Sequence, residues 1–168
     1  MVQVRASDRT AALAALYVSC ACNPRTPATE LVRITLLPYR SRGSAFCTVK
    51  ITNGGWIIAN NGDRSNFGGN ANVDSSGNPT GEEEYQDQGP AQPMNVHSTK
   101  ITATTCDSAR QHASIFGEAT IDGSGTWIFR IDVTDMGEPS TNDAYGIMLS
   151  NGYDSGMKPL QGGNIDIH

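Results

Sequence analysis

The nine residues Thr126-Trp127-Ile128-Phe129-Arg130-Ile131-Asp132-Val133-Thr134 decide the fold class. Large apolar side chains fall at every second position of this run, at Trp127, Phe129, Ile131 and Val133. A period of two is that of a β-strand with one buried face, because successive strand side chains point to opposite sides of a sheet. Similar runs recur along the chain and end at turns rich in glycine or aspartate, which predicts an antiparallel all-β fold.

Seven strands are predicted from these runs, over residues 45–52, 56–59, 96–106, 113–121, 126–134, 145–150 and 163–168. The polar stretch 60–92 is too long for one structureless loop, so it is predicted to hold two more strands, near 67–73 and 83–87. Asp122-Gly123-Ser124-Gly125 predicts a tight hairpin. About eight or nine such strands are typical of a sandwich of two antiparallel sheets, immunoglobulin-like or jelly-roll. The predicted core holds Ile115, Trp127, Phe129, Ile131, Val133 and Ile147.

The sequence divides near Gly43. Residues 1–44 are predicted to form a short N-terminal extension, with a short helix capped by Ser7 or Asp8 that includes the apolar run 11–18, and one strand at 31–37. A signal or lipoprotein leader is the competing interpretation of this basic and apolar start. Residues 45–168 are predicted to form the sandwich domain.

Composition narrows the class of partner. The 168 residues include 18 glycines and 8 prolines and are 38% apolar, which favours many short elements over a helical bundle. The net charge is −5 and no stripe of lysine and arginine is present, so nucleic acid is a poor partner. No run approaches the roughly 18 apolar residues that a membrane-spanning helix needs.

Four cysteines leave three disulfide pairings open: Cys20, Cys22, Cys47 and Cys106. Zinc ligands usually occur in pairs two to four residues apart, and these cysteines lack that spacing. Cys106 ends an apolar run, which favours a buried thiol or a bridge to Cys47.

Seven phrases occur in order between residues 50 and 168: Gly54-Gly55-Trp56-Ile57, Asn66-Phe67-Gly68-Gly69, Glu84-Tyr85-Gln86-Asp87, Asn95-Val96-His97-Ser98, Phe129-Arg130-Ile131-Asp132-Val133-Thr134-Asp135, Asp143-Ala144-Tyr145-Gly146-Ile147 and Gly162-Gly163-Asn164-Ile165-Asp166-Ile167-His168. In this succession the chain resembles the post-COAP domain, a C-terminal module of secreted bacterial multidomain proteins. The resemblance implies a β-sandwich accessory module at or beyond the cell surface. It brings no catalytic residues, and it does not extend to residues 1–44.

Oxygen ligands gather after the strand that ends at Thr134. Asp135, Glu138 and Asp143 are candidate Ca²⁺ ligands, with Asp132 as a weaker member whose strand position can direct it elsewhere. Calcium takes six to eight oxygen ligands, and loops supply them readily. The spacing matches no EF-hand, and a solvated acidic turn is the competing interpretation.

Other carboxylates allow a catalytic hypothesis. Glu84, Asp87 and Glu118 are candidates for the paired acids of a glycoside hydrolase, which must lie roughly 5–9 Å apart. The competing interpretation of the triplet Glu82-Glu83-Glu84 is a solvated strand edge.

The candidate ligand-binding residues are Tyr85, His97 and Tyr153, because both tyrosines occur in polar sequence surroundings. His97 could instead be a strand histidine that is hydrogen-bonded to Tyr85 or Asp87. No Gly-x-Ser-x-Gly, Walker or HExxH motif is present.

The predicted function is a secreted or surface-associated non-catalytic module that binds a glycan or a protein partner. The alternatives are a small glycoside hydrolase and a structural module that assembles through exposed sheet edges.

Overall fold

A computed structural model describes residues 48–138 and 142–168. These residues form nine β-strands: β1 Val49–Ile58, β2 Arg64–Val73, β3 Pro79–Asp87, β4 Met94–Cys106, β5 His112–Ile121, β6 Ser124–Thr134, β7 Ala144–Leu149, β8 Lys158–Pro159 and β9 Gly162–Ile167. The predicted all-β antiparallel fold is therefore confirmed. Within the described ranges no helix is long and apolar enough to cross a membrane.

The strands form one sheet in the order β8-β7-β6-β5-β4-β3-β2-β1-β9. Tyr145 of β7 nevertheless stacks on Phe67 of β2, with ring centroids 3.8 Å apart, although four strands separate β7 from β2. The sheet must therefore curl into a half-barrel around its own core. The predicted sandwich of two sheets is not confirmed, because strand pairing continues from β8 to β9 without a break.

A short segment joins the two edges of this sheet. Strands β8 and β9 lie at opposite ends of the strand order, yet only Leu160 and Gln161 separate them in the chain. The Leu160 N–H donates to the Asp143 carbonyl at 3.0 Å, and the Gln161 N–H donates to the Trp56 carbonyl at 2.9 Å. These bonds hold the connection against both β1 and the start of β7.

Strands β4 to β7 lie within two residues of their predicted bounds. The hairpin between β5 and β6 is also confirmed: Asp122 and Gly123 have φ of 51° and 71°, and two successive positive φ angles define a type I′ turn. The strands predicted at 45–52 and 56–59 correspond to a single strand, β1, so Gly54 and Gly55 do not interrupt pairing. The predicted extension, residues 1–44, lies outside the described residues.

The core lies on the inner face of the curled sheet, where alternate strand positions point. Five of the six predicted core residues are at most 2% exposed: Ile115, Phe129, Ile131, Val133 and Ile147. The sixth prediction was wrong, because Trp127 is only half-buried. It lies near the hairpin end of β6, and pairing between β6 and β7 begins only at Phe129, so β7 does not reach far enough to cover it.

Candidate functional site

Two predicted ligand-binding residues, Tyr85 and Tyr153, meet inside the curled sheet. Their hydroxyl oxygens are 2.6 Å apart, and the side chains belong to residues that are 2% and 6% exposed. The Tyr153 hydroxyl donates to Asp87 Oδ2 at 2.8 Å, so its oxygen must accept the proton of Tyr85. Burial is the largest cause that raises the pKa of both tyrosines. Neither ring is available as a surface platform for a ligand.

Asp87 completes this interior relay. It is 2% exposed, and it also accepts hydrogen bonds from Asn61 Nδ2 at 2.8 Å and from the Gly89 N–H at 3.1 Å. The relay therefore ties the turn after β1 and the loop after β3 to the core. A buried carboxylate with these donors is satisfied, and we assign the relay a structural role.

The third predicted ligand residue, His97, lies on the outer face. Its Nδ1 contacts a carboxylate oxygen of Glu84, its partner in the pairing of β3 with β4, and more than half of each side chain is exposed. The predicted hydrogen bond of His97 with Tyr85 or Asp87 is wrong, because alternation along β3 turns both of those side chains inward. His97 and the two tyrosines are therefore not brought together.

The predicted catalytic carboxylates are also separated. Glu84 points outward from β3, whereas Asp87 points inward and is buried. Glu118 of β5 pairs with Lys100 of β4, and β5 lies two strands from β3, the strand of Glu84. Glu84 and Asp87 therefore lie on opposite faces of the sheet, so they do not form a pair that could act on one glycosidic bond.

The acidic loop after β6 caps a sheet edge. Asp143 is 1% exposed and accepts hydrogen bonds from the N–H groups of Met136 at 3.0 Å and Ile165 at 3.1 Å. Asp135 accepts from the N–H groups of Gly137 at 2.8 Å and Ile167 at 2.9 Å. In the ladder between β1 and β9, His168 exchanges backbone bonds with Lys50, so Ile165 and Ile167 direct their N–H groups away from β1. The two aspartates thus occupy donors that a tenth strand would otherwise bind.

The other proposed calcium ligands point elsewhere. Asp132 lies on the outer face, where it accepts from Ser114 Oγ at 2.5 Å and contacts Arg130 at 2.9 Å. Glu138 is exposed. Across the described ranges, no three His, Cys, Asp or Glu side chains come together as a metal site would require. The calcium site remains a prediction.

Sequence reasoning missed a buried carboxyl group at Glu83. This residue is 3% exposed, and both of its carboxyl oxygens accept from Asn53 Nδ2 at 3.0 Å. Its backbone N–H donates to Ser98 Oγ at 2.7 Å. Gly69 lies between Asn53 and Glu83 in the strand register, and a Cβ there would approach the Glu83 carboxyl to 2.4 Å. Burial raises the pKa of Glu83 to about 7, against the opposing hydrogen bonds from Asn53. The signal was available, because alternation from Tyr85 directs residue 83 inward.

The outer face carries a shallow depression across β9, β1, β2 and β3, which we call the glycine trough. Its floor is the register pair Gly54 and Gly68. Apart from Gly54 itself and its two neighbours in the chain, no described atom lies within 4 Å of a Cβ built at Gly54. At Gly68 such a Cβ meets only the Asn53 backbone oxygen, at 3.9 Å. Asn164 closes one end of this row, and the contact of Glu84 with His97 closes the other.

Two flanking rows of side chains form the walls of the trough. One wall consists of Trp56, Asn66 and Gln86, and the other consists of Asp166, Thr52, Asn70 and Glu82. The Arg64 guanidinium stacks 4.3 Å from the centroid of the Trp56 ring, and Arg64 Nε donates to Asn66 Oδ1 at 3.4 Å. The trough therefore combines an aromatic side chain, several amides and the wall carboxylates of Asp166 and Glu82 beside a floor of bare backbone.

The trough was not predicted from the sequence, although both glycines belong to the phrases that resemble the post-COAP domain. Gly54 falls in the gap between the strands predicted at 45–52 and 56–59, and Gly68 falls inside the strand predicted near 67–73, but neither was predicted to open the outer face. Comparison with known proteins finds no matching family model, no similar curated protein and no similar solved structure.

Proposed function

We propose that the described domain is a non-catalytic module that binds a glycan in the glycine trough. The observation that carries this proposal is the pair Gly54 and Gly68, which opens the outer face between two polar walls. Sugar hydroxyls both donate and accept hydrogen bonds, and amides and carboxylates match them in both roles. Trp56 adds an aromatic surface on which the apolar face of a sugar ring can pack.

A glycan is favoured over a protein partner by the chemistry of the trough. Protein interfaces are usually centred on aromatic and aliphatic side chains from which water is fully excluded. The floor here is glycine backbone, and the walls are mostly Asn, Gln, Glu and Thr. Such a narrow polar surface suits a chain of hydroxyl groups better than a packed apolar anchor.

We further propose that the module works at the cell surface or outside the cell. Cys106 is disulfide-bonded, and such bonds persist mainly in oxidising compartments. The resemblance to the post-COAP domain supports the same location and the role of an accessory module. The proposed accessory role rests on this succession of motifs.

The two rival functions receive less support. A hydrolase built on Glu84 and Asp87 would need carboxylates on one face, and these lie on opposite faces. Assembly through a sheet edge would need free donors, and the N–H groups of Ile165 and Ile167 are occupied by aspartates. The edge strand β8 is only two residues long.

Filling the trough provides the test. We expect Gly54→Thr and Gly68→Thr to fold, because neither glycine has a positive φ and a Cβ fits at both positions. Each should weaken binding to a polysaccharide by about tenfold or more, measured by pull-down and calorimetry over a panel of neutral and acidic polysaccharides. Trp56→Ala should weaken it similarly.

Ala103→Thr is the control, because it places the same threonine side chain at an exposed position on β4 outside the trough. Trp127→Ala controls for the loss of an indole. Equal binding by the wild type and the three trough variants would refute the trough as the site. Release of reducing sugar that Glu84→Gln abolishes would instead establish the hydrolase.

A further inference from the structure

A separate cleft of about 320 Å³ lies at the end of the sheet where β1 begins and β2 ends. Its lining includes Lys50, Asn72, Asp74, Asn78, Arg110 and His168. Lys50 and Asn72 are paired on the outer face, two register rows beyond the floor of the glycine trough.

The side chains that line this cleft carry two positive charges against one negative charge. Asp74 is the acidic residue of the lining, and its carboxylate accepts from the Ser76 N–H at 2.8 Å, the Asn78 N–H at 2.9 Å and Asn78 Nδ2 at 3.0 Å. These bonds within its own turn occupy its oxygens, with the bond from the Asn78 N–H as the largest cause that lowers the pKa of Asp74. His168 is engaged with Asp166 at 2.9 Å. The two cations Lys50 and Arg110 therefore outnumber the single carboxylate among the lining side chains, that of Asp74.

Arg110 occupies a backbone position that suits a different residue. Its φ is 56°, in the left-handed region where glycine and asparagine are preferred. The loop is closed without help from the arginine side chain: the Arg110 N–H donates to the Asp107 carbonyl, and the Gln111 N–H donates to Asp107 Oδ1. The backbone conformation alone would favour glycine at position 110, so folding does not explain why this residue is an arginine.

One contact of that guanidinium is with the main chain. Arg110 Nη2 donates to the Thr48 carbonyl at 3.4 Å, which holds the side chain over the cleft and leaves its other N–H groups to bind a ligand. Guanidinium groups bind carboxylate, phosphate and sulfate through two parallel hydrogen bonds. A lysine ammonium adds a point charge to such a site.

We propose that this cleft binds an oxyanion group, a carboxylate, phosphate or sulfate, between Arg110 and Lys50. Asn72 lies beside Lys50 and offers amide donors to the same group. The inference is independent of glycan binding in the trough, because it rests on different residues.

The test uses the full chain and inorganic sulfate as the probe, with chloride at matched ionic strength as the reference. We expect saturable shifts of backbone amide NMR signals confined to Thr48–Lys50, Asn72 and the loop around Arg110. Arg110→Gly should raise the dissociation constant by about tenfold or more, and its melting temperature should equal or exceed that of the wild type. Lys50→Gln should weaken binding by a smaller factor, and Lys100→Gln, an exposed lysine on β4, should leave it unchanged.

A second arm separates the sources of the anion. An acidic polysaccharide is identified as the ligand if dextran sulfate binds more tightly than inorganic sulfate and uncharged dextran does not bind in the cleft. Equal affinity for dextran sulfate and inorganic sulfate would identify a free anion. The proposal is overturned if the shifts do not saturate, or if Arg110→Gly and Lys100→Gln weaken sulfate binding equally. A large loss of stability in Arg110→Gly would also overturn it, by showing a structural role for the side chain.

Discussion

Raising the pH towards 7 should destabilise this protein through one buried group, Glu83. Burial raises its pKa from 4.5 to about 7. Between these two values the folded state holds a proton that the unfolded state has released. The contribution of Glu83 to stability is therefore complete below pH 4.5, and it is lost as the pH rises through about 7.

The size of the effect follows from the two pKa values. They differ by about 2.5 pH units, and each unit corresponds to about 1.4 kcal/mol. The free energy of unfolding should thus fall by about 3 kcal/mol across this range. For a domain of this size, a loss of that magnitude lowers the melting temperature by about 10 °C.

Glu83→Gln should remove this dependence on pH. Glutamine keeps the shape of the side chain without a charge, and its amide N–H needs an acceptor. Asn53 Oδ1 is buried and has no partner among the described residues, so an acceptor lies beside the new donor. We expect the variant to be more stable than the wild type above pH 7. Glu82→Gln, at an exposed neighbouring position, should follow the wild type.

Urea unfolding between about pH 4.5 and 7.5 at constant ionic strength measures the effect. The useful quantity is the difference between wild type and Glu83→Gln at each pH, since other titrating groups cancel in it. The pKa values of Asp74 and Asp107 are both lowered, which moves them away from this window. A difference that stays constant across the window would refute the reasoning.

Two further predictions concern the acidic loop. Asp143→Asn should lower the free energy of unfolding by about 2–3 kcal/mol in chemical denaturation, because an amide N–H₂ must then face one of the two N–H donors. Glu138→Gln, an exposed control in the same loop, should change this free energy little. An equal effect of both substitutions would contradict the capping role. The calcium proposal predicts a higher melting temperature in millimolar Ca²⁺ than in chelator, with the difference lost in Asp135→Ala. Equal melting temperatures in the wild type would leave hydrogen bonding as the whole role of these aspartates.

Alternation predicted the middle of the fold well, because each strand from β4 to β7 has one face against the core. Such a pattern reports which side of a strand is buried. It does not report whether the buried faces belong to two sheets or to one sheet that curls, which is why the sandwich was not confirmed. The stacking of Tyr145 on Phe67 joins distant strands, and no local pattern encodes it.

The glycines of β1 and β2 were harder to interpret than the apolar residues. Gly69 leaves room on the inner face for the Glu83 carboxyl, whereas Gly68 opens the outer face. The sequence shows two glycine pairs: Gly54-Gly55 falls in the gap predicted between two strands, whereas Gly68-Gly69 falls inside the strand predicted near 67–73. Their separate purposes appear only when the register places each beside a residue of a neighbouring strand.

The same limit explains the acidic loop. Asp135 and Asp143 were interpreted as metal ligands because carboxylates close together in sequence repel one another unless a positive group lies between them. Backbone N–H groups provide that partial positive charge here. Those of Met136 and Gly137 lie in the loop itself, and those of Ile165 and Ile167 come from β9, more than twenty residues beyond the aspartates that they bind. A cation and a row of strand-edge amides make the same demand on a loop, namely oxygen acceptors that converge. Sequence can therefore identify the acceptors, but only the position of β9 identifies the donors that they bind. By occupying these donors, the two aspartates also protect a sheet edge that could otherwise pair with another chain.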